Sequence, residues 1–167
     1  MSESVFSIRD AAPADAADIA DLTRRAFAGQ AALYEDDTLP PLSDTAETVL
    51  DAMGRGTVLV AEDTAGSIVG SVRGEMRGES CVVGRLVVEP ALQGLGIGRA
   101  LACALEERFA STDRFEIFTG HRSEPALHLY ESLGYARERI EYVHDRLSLV
   151  FLAKERCAPE GRTNHSS

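Results

Sequence analysis

The stretch Arg85 to Phe109, RLVVEPALQGLGIGRALACALEERF, limits what this chain can fold into more than any other part of it. Leu86-Val87-Val88 predicts a strand, and Pro90 ends it. Glycines follow at Gly94, Gly96 and Gly98. Ile97, Leu101 and Leu105 then recur at one-turn spacing with Phe109 after them, while Glu106, Glu107 and Arg108 face away. The order is strand, glycine-rich turn, helix, with the helix starting near Ile97. A helix start leaves about four backbone N–H groups without partners and carries partial positive charge. Glycines beside it let a bulky anion come close. The stretch therefore predicts a phosphate or pyrophosphate site.

Three patterns compete for this turn. A P-loop needs Lys and then Ser or Thr after its last glycine, and here Arg99-Ala100 follow Gly98. A dinucleotide fingerprint, G-x-G-x-x-G/A, meets Arg99 in its third position when started at Gly94 and Leu101 when started at Gly96. Both patterns fail. What remains, Gln93-Gly94-Leu95-Gly96-Ile97-Gly98, fits Q/R-x-x-G-x-G/A. Downstream, Ser123-Glu124-Pro125-Ala126-Leu127-His128-Leu129-Tyr130-Glu131-Ser132-Leu133-Gly134-Tyr135 fits N-x-x-A-x-x-L-Y-x-x-x-G-F/Y except for its first residue, Ser123 in place of Asn. These two signatures, in this order, resemble those of the GNAT superfamily of N-acetyltransferases, and the resemblance covers roughly residues 6–155.

Length and composition agree with one such domain. A chain of 167 residues, 44% hydrophobic, holds one full core and is short for two. The expected domain is 6–155, followed by a polar tail, 156–167. A net charge of −10 argues against nucleic-acid and anionic-membrane partners. No apolar run approaches the ~20 residues that span a bilayer, and the N-terminus lacks a basic region followed by an apolar stretch. A cytoplasmic protein is expected. Cys81, Cys103 and Cys157 show no ligand-like spacing, so no metal is expected; Cys81 and Cys103 read as buried small hydrophobes.

The remaining segments alternate. Phe6 to Arg9 reads as a strand, and a first helix runs from about Ala16 to Ala28, stopped by Gly29. After an irregular stretch with Pro40-Pro41, a second helix starts at Ser43 or Asp44 and reaches about Met53. Thr57 to Glu62 and Ser67 to Met76 form a hairpin, followed by a strand from Cys81 to Val88. Beyond the central helix come a strand from Phe115 to Thr119, a helix from Pro125 to Leu133, and strands Tyr135 to Tyr142 and Leu147 to Lys154. The fold class is α/β: a mixed sheet of about seven strands with helices on both faces, which is what the resemblance implies too.

By resemblance, acetyl-CoA is the co-substrate and sits where the strands ending at Val88 and Thr119 splay apart. The backbone of Leu86, Val87 and Val88 would pair with its pantetheine arm. The N–H groups of Gln93, Gly94, Leu95, Gly96, Ile97, Gly98 and Arg99 would hold the pyrophosphate, and Ser123 takes the position of the family's coenzyme-side Asn. The implied reaction is direct transfer of the acetyl group to a primary amine of a small molecule or peptide, with Tyr130 protonating the coenzyme thiolate. The general base is open among Glu75, His121, whose ordinary pKa of about 6.5 suits proton traffic, and a water relay. The acidic run Glu35-Asp36-Asp37 falls where the family forms its acceptor pocket. A homodimer through the terminal strands is compatible with the resemblance. The competing reading is an acyl-CoA-binding sensor that turns nothing over.

Overall fold

A computed structural model describes residues 5–156. In chain order it contains β1 (Phe6–Asp10), α1 (Ala16–Tyr34), α2 (Ala46–Arg55), β2 (Thr57–Asp63), β3 (Ile68–Arg77), β4 (Ser80–Val88), α3 (Ile97–Arg108), β5 (Arg114–Gly120), α4 (Glu124–Ser132), β6 (Ala136–His144) and β7 (Leu147–Glu155). The strands form one seven-stranded sheet in the order β1-β2-β3-β4-β5-β7-β6. Only β4 and β5 run parallel, because α3 lies between them in the chain and a parallel pair needs such a crossover. Every other neighbouring pair is antiparallel. The mixed sheet is the one expected from the alternation of strand and helix patterns.

Two cores separate the faces. On one side, Leu101 and Leu105 of α3 and Leu127 and Tyr130 of α4 pack with Val72, Cys81, Phe115 and Leu152 of the sheet. On the other, Ala16, Ile19 and Ala20 of α1 and Val49 and Ala52 of α2 pack with Val58 and Val60 of β2. The period-two alternation along β3 explains the division. A Cβ on Gly70 or Gly74 would press into the α3 side chains Ile97, Leu101 or Leu105, so these positions face α3. Ser71, Arg73 and Glu75 therefore face the α1–α2 side.

Four local expectations need correction. Helix α1 does not stop at Gly29 but continues to Tyr34 and ends with Glu35 in the left-handed region, at φ 52°. An internal glycine costs about 1 kcal/mol relative to alanine; seating Tyr34, which is 1% exposed, outweighs it. Helix α2 starts at Ala46, capped by Thr45, whose Oγ1 accepts from the Thr48 N–H. Asp44 lies before it, buried, and is used elsewhere. Cys103 is exposed while Cys81 is buried, because position 103 falls between the inward-facing Leu101 and Leu105. Arg156, counted with the tail, donates to the carbonyls of Glu106, Phe109 and Thr112 and so closes the C-terminal end of α3. The rest of the expected tail lies outside the described residues. Among the described residues, no helix is long and apolar enough to cross a membrane.

Candidate active site

The site begins where the sheet stops being a sheet. Strands β4 and β5 pair only from Ser80 to Val82 against Arg114 to Glu116. Beyond Val82 the β5-facing edge of β4 has no partner strand. A bulge accompanies the divergence: Ser71 pairs with Val87 and Arg73 with Gly84, so Arg85 and Leu86 together stand opposite Val72. Arg85 sits at φ 48°, a left-handed conformation uncommon outside glycine. Its guanidinium is tied to Asp44, Nε to Oδ2 at 3.0 Å and Nη2 to Oδ1 at 3.2 Å. A two-pronged ion pair to a carboxylate that is 4% exposed holds the bulged residue in place.

At the end of β4 the chain passes through the glycine turn into α3. Gly94 and Gly96 have φ of 87° and 89°, and a Cβ on either would meet nothing. Backbone conformation, and not crowding, calls for glycine there. The first helix-closing bond runs from the Ala100 N–H to the Gly96 carbonyl. Among the described residues, none of the N–H groups from Gln93 to Arg99 donates to a backbone carbonyl. They form a cradle of free donors at the positive end of α3.

The divergence opens a cavity of about 660 Å³. Val82 to Leu86 of β4 and Ile117 to Gly120 of β5 form its floor, and α1 and the segment before α2 form its roof. Tyr130 reaches it from α4. This side chain is 7% exposed, and its hydroxyl has no hydrogen-bond partner among the described residues, so the oxygen is presented to the cavity. Burial holds the phenol well above its ordinary pKa, which keeps the proton on it at neutral pH.

The other expected residues divide. Glu75 lines the cavity and lies 3.4 Å from Arg55 Nε and 3.5 Å from Arg77 Nε. His121 is not among the cavity's lining residues; its Nδ1 accepts from the Ser148 N–H at 3.0 Å, so that nitrogen has no free lone pair. Ser123 is 1% exposed and already consumed. Tyr34 Oη accepts from the Arg122 N–H at 2.8 Å, Tyr34 pairs with Ser123 Oγ at 2.7 Å, and Ser123 Oγ–H donates to Gln30 Oε1 at 2.7 Å. Ser123 thus ties α1 to the start of α4. Gly120 permits this, since a Cβ there would collide with the Tyr34 ring.

These features coincide with a family pattern. Residues 54–137 match the acetyltransferase (GNAT) domain family. The chain belongs to the GNAT acetyltransferase family. A mycothiol acetyltransferase from Gordonia bronchialis is 39% identical over 71 residues, which is 41% of this chain and 22% of that protein. The match thus spans about a fifth of that relative's length. Among solved structures, a phosphinothricin acetyltransferase from Sinorhizobium meliloti in complex with acetyl-CoA superposes with a TM-score of 0.75 at 21% identity, covering 95% of both chains. The ribosomal-protein-S18-alanine N-acetyltransferase from Escherichia coli gives 0.74 at 18% identity, over 95% of this chain and 99% of that one. At such identities the likeness is one of fold.

The unpaired strand edge of β4 and the cradle of free N–H groups leave main-chain donors and acceptors available to a ligand that carries amides and an anionic group. The cavity's other wall was not visible in the motifs. Arg55, Arg73, Arg77 and Arg85 all line the cavity, in a chain whose net charge is −10. The signal that would have found two of them is the alternation along β3, which sends Arg73 to the same face as Glu75. Asp36 belongs to the acidic run Glu35-Asp36-Asp37, yet its side chain is 12% exposed and its Oδ2 lies 2.8 Å from His144 Nε2. Bonds from Thr38, then from His144, hold its carboxyl down at about 2. The bridge joins the segment after α1 to the end of β6.

Proposed function

We propose that this GNAT acetyltransferase moves the acetyl group of acetyl-CoA to a primary amine within the 660 Å³ cavity, with residues 6–155 as the catalytic domain and Tyr130 as the proton donor. When bound, acetyl-CoA supplies an activated acyl carbon in a thioester. The N–H groups of Gln93 to Arg99 hold the pyrophosphate end, and the free edge of β4 at Leu86 to Val88 orients the arm so that the sulfur lies near Tyr130. As the amine nitrogen bonds to the acyl carbon and the carbon–sulfur bond breaks, the amine loses a proton and the sulfur gains one. Tyr130 Oη supplies the second proton. Glu75, the carboxylate expected from sequence that does line the cavity, receives the first through water. The engaged Nδ1 of His121 makes that residue the weaker candidate.

The observation that carries this reading is the Tyr130 hydroxyl, un-ionised, open to the cavity from a buried side chain beside the splayed strands, and without a hydrogen-bond partner among the described residues. A phenol placed only for packing would be expected to find a hydrogen-bond acceptor in the core. The test is thiol release from acetyl-CoA across an amine panel, with Tyr130→Phe alongside. The substitution is expected to lower kcat about 100-fold, the low end of general-acid contributions, while leaving coenzyme affinity within about twofold. Turnover indifferent to the substitution would remove Tyr130 from the mechanism, and tight coenzyme binding without turnover of any amine would favour a sensor.

A further inference from the structure

Arginine is the unexplained feature of the cavity. Four guanidinium groups, those of Arg55, Arg73, Arg77 and Arg85, line it against the carboxylates of Asp36 and Glu75, with Asp44 behind the wall. Most have identifiable partners. Arg85 grips Asp44 with two bonds, Arg55 and Arg77 flank Glu75, and Asp36 is taken by His144.

Arg73 is different. It makes no hydrogen bond among the described residues, and its nearest carboxylate oxygen, Asp44 Oδ2, is 3.8 Å away and already bonded to Arg85 Nε. Its side chain is only 21% exposed. Its donors are open to the solvent of the cavity and free for a ligand, and burial together with the neighbouring Arg85 and Arg55 pushes its pKa down. The surrounding wall is rigid. Asp44 is 3% exposed, Arg24 Nη1 donates to its backbone carbonyl at 2.6 Å, and the bulged Arg85 is held in a left-handed conformation by the same carboxylate. An uncommon backbone state at a cavity wall points to a functional constraint on that wall.

Location separates Arg73 from the pyrophosphate cradle. It pairs with Gly84, whereas Gly70 pairs with Val88 at the strand end that leads into the glycine turn. Three to four residues of strand place Arg73 about 10–13 Å back from that end. The cradle and Arg73 are thus two distinct places for oxyanions, one made of main chain and one of a side chain.

We propose that the acceptor is a small amine that carries its own oxyanion, a carboxylate or a phosphonate as in an amino acid or its phosphonic analogue, and that Arg73 binds this group in the fork of its guanidinium. The paired Arg85 and Asp44 keep Arg73 aimed into the cavity. With the oxyanion held on β3, the amine is directed toward the splayed strands and Tyr130. This rests on the acetyl-transfer reading and narrows its substrate class.

The experiment compares matched acceptors: the common amino acids, their carboxamides, and the corresponding 1-aminoalkylphosphonic acids, each assayed for thiol release with wild type, Arg73→Gln and Arg73→Lys. Coenzyme binding is measured on all three proteins by calorimetry, and folding by thermal melts. Wild type is expected to prefer at least one free acid over its amide by about 100-fold in kcat/KM, as for a site whose buried donors are left unpaired by the wrong ligand. The carboxylic and phosphonic arms identify which oxyanion is taken. Arg73→Gln is expected to collapse that preference toward unity, mainly through KM, and Arg73→Lys to restore part of it, since charge returns without the fork. Coenzyme binding is expected to stay within twofold. The melting temperature of Arg73→Gln is expected to change little, because Arg73 donates no hydrogen bond among the described residues and its ion pair with Asp44 is long, at 3.8 Å; a clear drop would mark a structural role and overturn the assignment. Amides or uncharged amines turned over as well as acids would overturn it while leaving acetyl transfer intact. Failure of every acid either to react with or to bind the coenzyme-loaded protein would overturn it too. Absence of coenzyme binding would instead sink the acetyl-transfer reading itself.

Discussion

The glycine turn and the arginine wall both offer donors to anions, and they are built by opposite means. The turn uses main chain: consecutive residues, two glycines in the left-handed region and a helix start, with donors free because no carbonyl lies within their reach. The wall uses side chains from segments far apart, Asp44 before α2, Arg73 on β3 and Arg85 in the β4 bulge, each dependent on the others for position. A main-chain site is rigid but indifferent to what else its ligand carries. A side-chain site is specific, and it is costly when empty.

Three changes break this comparison at different points. The largest is at the wall. Removing the buried carboxylate with Asp44→Ala leaves Arg85 and Arg73 facing each other without a counter-charge, and losing one partner of such a pair costs about 3 kcal/mol or more. A marked fall in melting temperature and in acceptor turnover is expected, with coenzyme affinity nearly preserved. Retained stability would show that the bulge does not need the ion pair.

Gly96→Val acts on the turn alone. A β-branched residue at φ 89° pays of order 1–3 kcal/mol of backbone strain or abandons the conformation. Coenzyme affinity by calorimetry is expected to weaken by about tenfold or more, while the acid-over-amide preference at the wall is unchanged. Loss of that preference would mean the two regions are coupled.

The smallest effect concerns the bridge at the cavity mouth. Because the Asp36 carboxyl titrates at about 2 in the fold and near 3.8 when free, the stability it confers is complete above its unfolded value and is lost as pH falls through the folded one. Between about pH 4 and pH 2, the melting temperature of wild type is expected to drop more than that of Asp36→Asn. Parallel curves would show that the Thr38 and His144 contacts contribute nothing measurable.

How much was readable in advance follows the same division. The glycine turn and the Tyr130 helix lie within contiguous stretches whose residue types fix their own local geometry, and hairpins such as Thr57–Asp63 with Ile68–Arg77 announce themselves by alternation and turn residues. Gly29 misled because its local cost is small beside the burial of Tyr34 five residues on. The partners of Ser123, Gln30 and Tyr34, were not legible because they are about ninety residues away in sequence, and only folding brings them to it.

By itself, then, the sequence determined the order of strands and helices, the glycine turn into α3 and the family to which the chain belongs, since short-range sterics and periodicity act within a few residues and need no partner. The tertiary structure alone decided that Asp36 belongs to His144, that Ser123 ties helices together, and that Arg73 lines the cavity without a hydrogen bond among the described residues. Hydrogen-bond satisfaction and burial are properties of neighbours in space, and the neighbours of these side chains are set by the packing of the whole sheet.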